Sequence, residues 1–485
     1  MLLEKWGKHG MGREDDTEAK RTKSAKLQLM LFGVPFILAY LVWRWFPILT
    51  EHVIVHGFGY MPTLRPTHWL WYAAVSFFYL WYTFLSIAIG GSLLVAAWIW
   101  KRRQAKEESN YFPTVSFVIP AYNEEKAISK CIASLFRNAT RYPNYAEIIV
   151  ADDGSTDRTH EVAQATIKLN QRVWPYVHGE VIKHEKNLGK AQAIKAGIDK
   201  AAGEVTAIVD ADSRWNPDAL KQLSAFMDTP DRAAVTGYIH PSDENTRTPN
   251  LFIILQQLEY SQGLGVFRCA QALGNAVLVV PGPIGLYNTE VLQEILDDKK
   301  VQSITEDLEI TLELQKRGCR VGYLDKARSV TMAPTSFRTF WKQRLRWFTG
   351  GLHNIIGIHK NLLRSKRWLS LLLWYCLITG YGGAAIELTA VLGIPFLYWF
   401  APDRIFFLYN LLMFLPLMLA VGIGQQAIAL KFAYNHYNHK RLLFYTPLYS
   451  ILRFVNVSAR FSSMVKYALG EKGIWEKTRH KSPQE

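Results

Sequence analysis

The stretch Val205-Thr206-Ala207-Ile208-Val209-Asp210-Ala211-Asp212 carries an apolar run straight into two carboxylates one residue apart. Such a run, closed at once by charge, predicts a buried strand whose last residues emerge at the edge of a sheet. Open α/β sheets hold their ligands at that edge. Carboxylate oxygens so placed suit Mg²⁺ or Mn²⁺, and the ion in turn suits a diphosphate. Asp210 and Asp212 are therefore the candidate metal ligands.

The neighbouring sequence repeats the same grammar. Val115-Ser116-Phe117-Val118-Ile119-Pro120 reads as a short buried strand, followed by Ala121-Tyr122-Asn123-Glu124-Glu125 and an amphipathic helix from Ala127 to Phe136. Glu147 to Ala151 is a second strand, ending in Asp152-Asp153-Gly154-Ser155-Thr156-Asp157. A helix from about Thr159, a strand near Gly179 to Ile182 and a helix from Lys190 to Ala202 lead to the strand ending at Asp210. This alternation predicts a Rossmann-like α/β domain with a mostly parallel sheet and helices on both faces. Dinucleotide binding fails its first test, because the turn after the first strand has no G-x-G-x-x-G. Gly189-Lys190 is no P-loop either, so a nucleotide here would be held by carboxylate and metal.

Apolar segments frame this block. Leu27 to Phe46 meets the roughly 20 residues that cross a hydrocarbon core, and Trp69 to Trp100 is longer. Trp368 to Phe400 and Ile405 to Phe432 do the same beyond the block. The basic runs Lys20 to Lys26, Lys101-Arg102-Arg103, Arg364 to Arg367 and His439-Lys440-Arg441 all fall on one side, which the positive-inside rule makes cytosolic. The net charge of +15 is explained by these runs. No nucleic-acid motif accompanies it, so nucleic acid is not an expected partner. No small-residue cleavage site follows the first span, so that span is expected to be retained. Four cysteines without metal-like spacing read as reduced thiols. The segment Leu442 to Leu469 carries Arg453, Asn456, Arg460 and Lys466, and is either a fifth span facing a polar cavity or an interfacial helix. The second alternative keeps Lys477, Arg479 and Lys481 inside. The expected domains are 1–106, a tail with two spans; 107–335, the cytosolic domain; 336–367, amphipathic interfacial helices; and 368–485, further membrane segments with a basic tail.

Other residues fit the same chemistry. Lys190, at a predicted helix N-terminus, offers an ammonium beside free backbone N–H groups, which suits phosphate. Ser303-Ile304-Thr305-Glu306 reads as a capping box that puts Asp307 in the first turn of a helix to Arg317, where the dipole favours its ionised form. Gln343, Arg346 and Trp347 share one helical face at i, i+3 and i+4. A guanidinium suits a pyrophosphate, and an indole offers a flat apolar face for stacking.

Pro120 to Glu124, Asp152 to Ser155, Asp210-Ala211-Asp212, Thr305-Glu306-Asp307 and Gln343-Arg344-Leu345-Arg346-Trp347 occur in order. Together they resemble the motif set of the processive family 2 glycosyltransferases, which include cellulose, chitin, hyaluronan and poly-N-acetylglucosamine synthases. The resemblance covers about Val115 to Gly350. It implies a GT-A-like cytosolic domain embedded in a helical transmembrane protein of the cell membrane, and inverting, metal-dependent transfer from a UDP-sugar to a polysaccharide. It implies nucleotide-sugar contacts from Tyr122, Glu124, Asp152, Asp153, Lys190, Asp210 and Arg346. It also implies a general base at Asp307, with Glu306 as the alternative, and acceptor contacts from Gln343 and Trp347. Pro281-Gly282-Pro283 resembles the acceptor loop of hyaluronan synthases, which adds Gly282 and Pro283 and favours UDP-N-acetylglucosamine. The lipid bilayer and an export protein are expected partners. The rival expectation is transfer of one sugar to a polyprenyl-phosphate carrier.

Overall fold

The computed structural model describes residues 87–104, 109–243, 250–298, 301, 303–365, 367–401, 404–433 and 440–471. The span Leu27 to Phe46, the basic run Lys20 to Lys26, residues 69–86 of the second span, His439, and Lys477, Arg479 and Lys481 lie outside the described residues.

The first two strands, β1 (Val115–Ala121) and β2 (Ala146–Asp152), are buried at every position. That is the pattern of parallel strands covered on both faces. β3 (His178–Lys183) and β4 (Val205–Ile208) complete a parallel half, in which β1 pairs with β2 and β4, and β2 with β3. The register sets Ala121 opposite Asp152 and Val118 opposite Ile208. The C-terminal ends of β1, β2 and β4 therefore meet along one edge.

The expectation of a mostly parallel sheet holds for this half and is corrected for the other. β5 (Ser213–Trp215), β6 (Arg232–Ser242), β7 (Gly285–Asn288) and β8 (Arg320–Met332) extend it to the order β3-β2-β1-β4-β7-β6-β8-β5 among the described residues. β7 runs antiparallel to both β4 and β6, and β5 antiparallel to β8, while β6 and β8 are parallel. The physical reason lies in the loop 281–284. It reaches the sheet at the C-terminal edge of β4, so the strand that follows can only enter against β4's direction. Mixing of this kind needs no crossover helix.

Helices pack the sheet as their periodicity dictates. The helix Ile128–Arg141 buries Ile128, Ile132, Leu135, Phe136 and Ala139, the i, i+3/i+4 stripe of an amphipathic helix. Each large apolar side chain so buried contributes about 1.5–3 kcal/mol before entropy. The helix runs five residues beyond Phe136, because Asn138 turns its amide inward, donating to Ser134 O and accepting from Leu220 N–H. The remaining helices of the alternation are Thr159–Val173 and Lys190–Lys200.

The chain divides into two units, one of Met1–Ala96 with Pro395–Gln425 and the other of Ala97–Ile394 with Gln426–Glu485. The second contains the sheet. Among the described residues one helix, Trp368–Phe396, is long and apolar enough by length and composition to cross a membrane. Arg404–Ala433 is a helix of 30 residues. The segment left with two alternatives is a helix, Thr446–Ala468, and its polar residues are partnered within the second unit. Arg453 pairs with Glu387 at 2.7 Å, Asn456 donates to Glu259 at 3.0 Å, and Arg460 lies 4.7 Å over the Phe348 ring. All four cysteines are free thiols.

Candidate active site

The turn after β1 is bound to the turn after β2. Asn123 takes a left-handed backbone conformation, φ 57°, which asparagine tolerates because its short amide can bond locally. Its Oδ1 accepts from Thr156 N–H at 2.9 Å, and its own N–H donates to Ser155 Oγ at 3.0 Å. Glu124 N–H donates to Thr159 Oγ1 at 2.7 Å. This arrangement leaves the Tyr122 ring exposed at the sheet edge.

Asp152 and Asp153, adjacent in sequence and both buried, do different work. Asp153 accepts from Leu188 N–H at 2.9 Å and Gly189 N–H at 2.8 Å, with His184 Nδ1 at 2.9 Å. It thereby anchors the segment that delivers Lys190. Asp152 Oδ1 accepts from Ser155 N–H at 2.9 Å, whereas its buried Oδ2 makes no hydrogen bond. His160 Nδ1 and Lys183 Nζ stand 3.4 Å and 4.0 Å from that oxygen.

Lys190 is the first residue of its helix, as its position after Asn187-Leu188-Gly189 implied. Its ammonium lies 2.8 Å from Asp210 Oδ1 and 2.8 Å from Glu306 Oε1. Burial opposes the charge, but the two carboxylates hold the lysine well above its ordinary range. One side chain thus ties the end of β4 to the start of the helix Glu306–Lys316.

That helix begins differently from the expected capping box. Thr305 is its N-cap residue and makes no side-chain cap. Glu309, not Glu306, reaches back, accepting from Ser303 N–H at 2.8 Å. Glu306 is engaged by Lys190 instead. Burial raises the Glu306 pKa and Lys190 more than offsets it, so the carboxyl sits below the ordinary range. The helix dipole does not decide Asp307. Burial, then the charge of Glu306, pushes that carboxyl up to about 6, although it accepts from Leu308 N–H at 2.8 Å.

Asp212 leads into β5, and its Oδ1 accepts from Ser213 Oγ at 3.1 Å and Thr331 Oγ1 at 3.2 Å. Burial, then Asp210, pushes Asp212 up to about 6, and Glu124 rises to about 7 through burial, then Asp212 and Asp210. Asp212 and Glu124 are thus held up by burial and by neighbouring carboxylates, at a point where Lys190 supplies one positive charge. This fits a divalent cation, and Mg²⁺ commonly takes one or two carboxylates and completes its shell with phosphate and water. Among the described residues no group of three or more His, Cys, Asp and Glu is placed to hold a metal ion, so the candidate ligands here are the pair Asp210 and Asp212.

The loop before β7 closes on the same point. Asp210 N–H donates to Gly282 O at 3.0 Å, and Trp215 Nε1 donates to Pro283 O at 2.9 Å. A Cβ at residue 282 would overlap the Asp210 carboxylate. Gly282 and Pro283 are therefore placed against the Asp210 turn.

The helix Phe337–Leu352 is capped by Ser336, whose Oγ accepts from Thr339 N–H. Arg346 is exposed, and its charge helps to lower Glu306. Gln343 and Trp347 are half-buried. Arg344, to which no role attached in the sequence, is only 1 % exposed. It pairs with Glu259 at 2.6 Å, and its guanidinium lies 4.5 Å from the Phe340 ring and 4.3 Å from the Trp347 ring. The sequence holds one hint of this, a second arginine off the shared face of Gln343, Arg346 and Trp347. Its acidic partner lies on the distant helix Leu251–Gln262 and cannot be read locally.

Comparison with known proteins follows this geometry. Residues 116–296 match the family described as Glycosyl transferase family 2. Among curated proteins, poly-beta-1,6-N-acetyl-D-glucosamine synthase of Staphylococcus aureus is 28% identical over 258 residues, 52% of this chain and 58% of that protein. The synthase of the same name from Staphylococcus epidermidis is 28% identical over 266 residues, 54% of this chain and 60% of that protein. The chain thus spans about three-fifths of the length of these relatives. Among solved structures, the mannosyltransferase PcManGT from Pyrobaculum calidifontis, in complex with GDP-Man and Mn²⁺, aligns with TM-score 0.53 at 18% identity. It covers 82% of this chain and 99% of its own. That likeness supports a GT-A-like mixed sheet. With its carboxylates gathered on one edge of that sheet, the chain carries a glycosyltransferase family 2 domain, similar in sequence to those of poly-N-acetylglucosamine synthases.

Proposed function

We propose that this chain is a membrane-embedded, metal-dependent, inverting glycosyltransferase. It moves N-acetylglucosamine from UDP-N-acetylglucosamine to the end of a growing polysaccharide and passes the product across the membrane. The observation that carries this proposal is the bridge from Asp210 through Lys190 to Glu306, which brings the carboxylates at the end of β4 beside Asp307. The names of the curated relatives favour the sugar and the polymer. The apolar helix Trp368–Phe396 favours the membrane setting.

Asp210 and Asp212 would hold the metal, which when bound neutralises the diphosphate of the leaving nucleotide. Lys190 has three N–H donors and gives two directions to Asp210 and Glu306, so one remains for a phosphate oxygen. Arg346, whose charge helps to lower Glu306, adds a second positive charge. Tyr122 and Asp152 take the nucleoside, the ring by stacking and the buried carboxylate by accepting an N–H. Asp153 acts at one remove, by placing the segment before Lys190. Gly282, Pro283, Gln343 and Trp347 border the acceptor, whose sugar lies against the indole.

Asp307 takes the proton of the acceptor hydroxyl. That oxygen bonds to the anomeric carbon from the face opposite UDP. The carbon–oxygen bond to the diphosphate breaks, and its electron pair leaves with UDP. A base at about 6 is ionised at neutral pH yet more basic than an ordinary aspartate.

The test is UDP release by the full-length protein in detergent, across a panel of UDP-sugars with Mn²⁺ or Mg²⁺, beside Asp307→Asn. Metal-dependent turnover with one sugar, lost in the variant and yielding long chains on a gel, is the expected result. A single sugar added to lipid would overturn the polymerising part. Absence of UDP binding would overturn the whole.

A further inference from the structure

Two segments far apart in sequence must agree in position for the transfer just proposed. The turn 303–307 carries Glu306 and Asp307, and the helix Phe337–Leu352 carries Gln343, Arg346 and Trp347. β8 separates them in the chain. Asn354 joins them. It is fully buried, in the π-helix His353–Ile358 that continues the Phe337–Leu352 helix.

Its Nδ2 lies 2.8 Å from Ser303 Oγ, 3.0 Å from Thr305 Oγ1 and 3.1 Å from Gly350 O. A carbonyl only accepts, so the Gly350 contact fixes which end of the amide is nitrogen. Two amide hydrogens then serve three acceptors. Ser303 Oγ and Thr305 Oγ1 are themselves 3.0 Å apart, so the two hydroxyls and the amide nitrogen form one contact group. Thr305 is the N-cap residue of the helix that begins with Glu306 and Asp307.

Packing repeats the message. A Cβ on Gly350 would stand 2.6 Å from Thr305 Oγ1 and 2.8 Å from its Cγ2, so only glycine lets the two segments approach this closely. The wide turn is closed by His359 N–H donating to Asn354 O at 2.8 Å. Such π-turns shift the side-chain register of a helix and occur often at functional sites.

We propose that Asn354 is a positioning residue. By holding the hydroxyls of Ser303 and Thr305, it sets the separation between Asp307 and the helix bearing Arg346 and Trp347. An acceptor lying against that helix then presents its hydroxyl to the base. This role rests on the glycosyltransferase function proposed above and adds to it a residue outside the recognised motifs.

The experiment measures UDP release from UDP-N-acetylglucosamine by the full-length protein in detergent, with UDP affinity determined alongside. Asn354→Leu removes the amide at similar volume. Thr305→Val removes one hydroxyl, and Thr305→Ser restores it. Since displacements near 1 Å can cost on the order of 10²-fold in rate, Asn354→Leu and Thr305→Val should lower kcat by about 10–100-fold. Donor KM and UDP affinity should stay within about twofold, the split expected when geometry in the transition state is lost. Thr305→Ser should return close to wild type, and the double variant should fall no further than the worse single one, as for residues of one network. A folded Asn354→Leu with wild-type kcat would overturn the role. Should Asn354→Leu fail to fold, equal kcat in Thr305→Val and Thr305→Ser would overturn it. Wild-type protein that turns over no nucleotide sugar would overturn the functional proposal itself, a result separate from either.

Discussion

Lys190 Nζ lies 2.8 Å from Glu306 Oε1 although 115 residues of sequence separate the two, and the same ammonium is 2.8 Å from Asp210. A cation shared by two carboxylates holds together groups that would otherwise repel. Lys190→Gln leaves Asp210 and Glu306 facing each other without compensation and removes a charge proposed to meet a phosphate oxygen of the donor. We expect kcat/KM for the nucleotide sugar to fall by about 10²–10³-fold, the scale for losing one oriented electrostatic group. Steady-state UDP release measures it, and a loss under about threefold would contradict the assignment.

Asp307 makes a pH prediction. Its carboxyl, raised to about 6 by burial and then by Glu306, must be ionised to take a proton. The rate should therefore rise about tenfold per pH unit below 6 and level off above it. Glu306 sits below the ordinary range and contributes no second step there. The stability linkage has the opposite sign to the activity. A folded pKa above the unfolded one favours the folded chain when the group is protonated, and that contribution is lost as pH rises through about 6. Activity and the stability contributed by Asp307 should thus move in opposite directions across this window; Asp307→Asn should remove this residue's share of the stability change, while Asp212 and Glu124, raised to about 6 and about 7, keep theirs.

Gly282→Ala tests the contact between the loop before β7 and the Asp210 turn. The new methyl group would overlap the Asp210 carboxylate. Overpacking of this kind displaces the more mobile partner and costs about 1–3 kcal/mol. Here it should appear as a higher Mn²⁺ concentration for half-maximal rate and a kcat/KM lower by about 10-fold or more. A metal titration that superimposes on wild type would remove Gly282 from the site.

Chelation gives a simpler check. With EDTA the rate should vanish and return with Mn²⁺ or Mg²⁺, while the apparent pKa of Asp212 should be lower when metal is present, because the cation relieves the repulsion from Asp210. Asp210→Asn and Asp212→Asn should each weaken that recovery.

Arg344→Ala is expected to act on stability first. Arg344 is only 1 % exposed and pairs with Glu259, which also accepts from Asn456. Removing Arg344 leaves the partly buried Glu259 with Asn456 as its remaining partner, and the loss should fall below the roughly 3–5 kcal/mol of a fully buried pair. Thermal unfolding in detergent reads this, and Arg344→Met with Glu259→Leu should recover most of the loss because no charge is left alone.

The strand–helix alternation from Val115 to Val209 is legible from the chain because each element declares itself over a few residues. Apolar runs mark β1, β2 and β4, and the i, i+3/i+4 stripe marks Ile128–Arg141. β7 is not legible. Gly285–Asn288 is four residues long, and its direction depends on where the loop 281–284 happens to meet β4. The capping box at Ser303 misled for a related reason. The local pattern was present, but Lys190, from another part of the chain, competed for Glu306.

The amino-acid sequence alone determined that carboxylates end successive strands of an α/β sheet, since strand, turn and period are local properties of backbone and side chain. Tertiary structure decided what those carboxylates do. Asp152 and Asp153 are neighbours with the same side chain, yet one is tied to three groups of the segment 184–189 and the other keeps a buried oxygen without a hydrogen bond. Lys190, Arg344 and Asn354 each acquire a role only through partners on distant elements. Ionisation and hydrogen bonding depend on what lies within a few ångströms, and for these residues it is packing that supplies the neighbours.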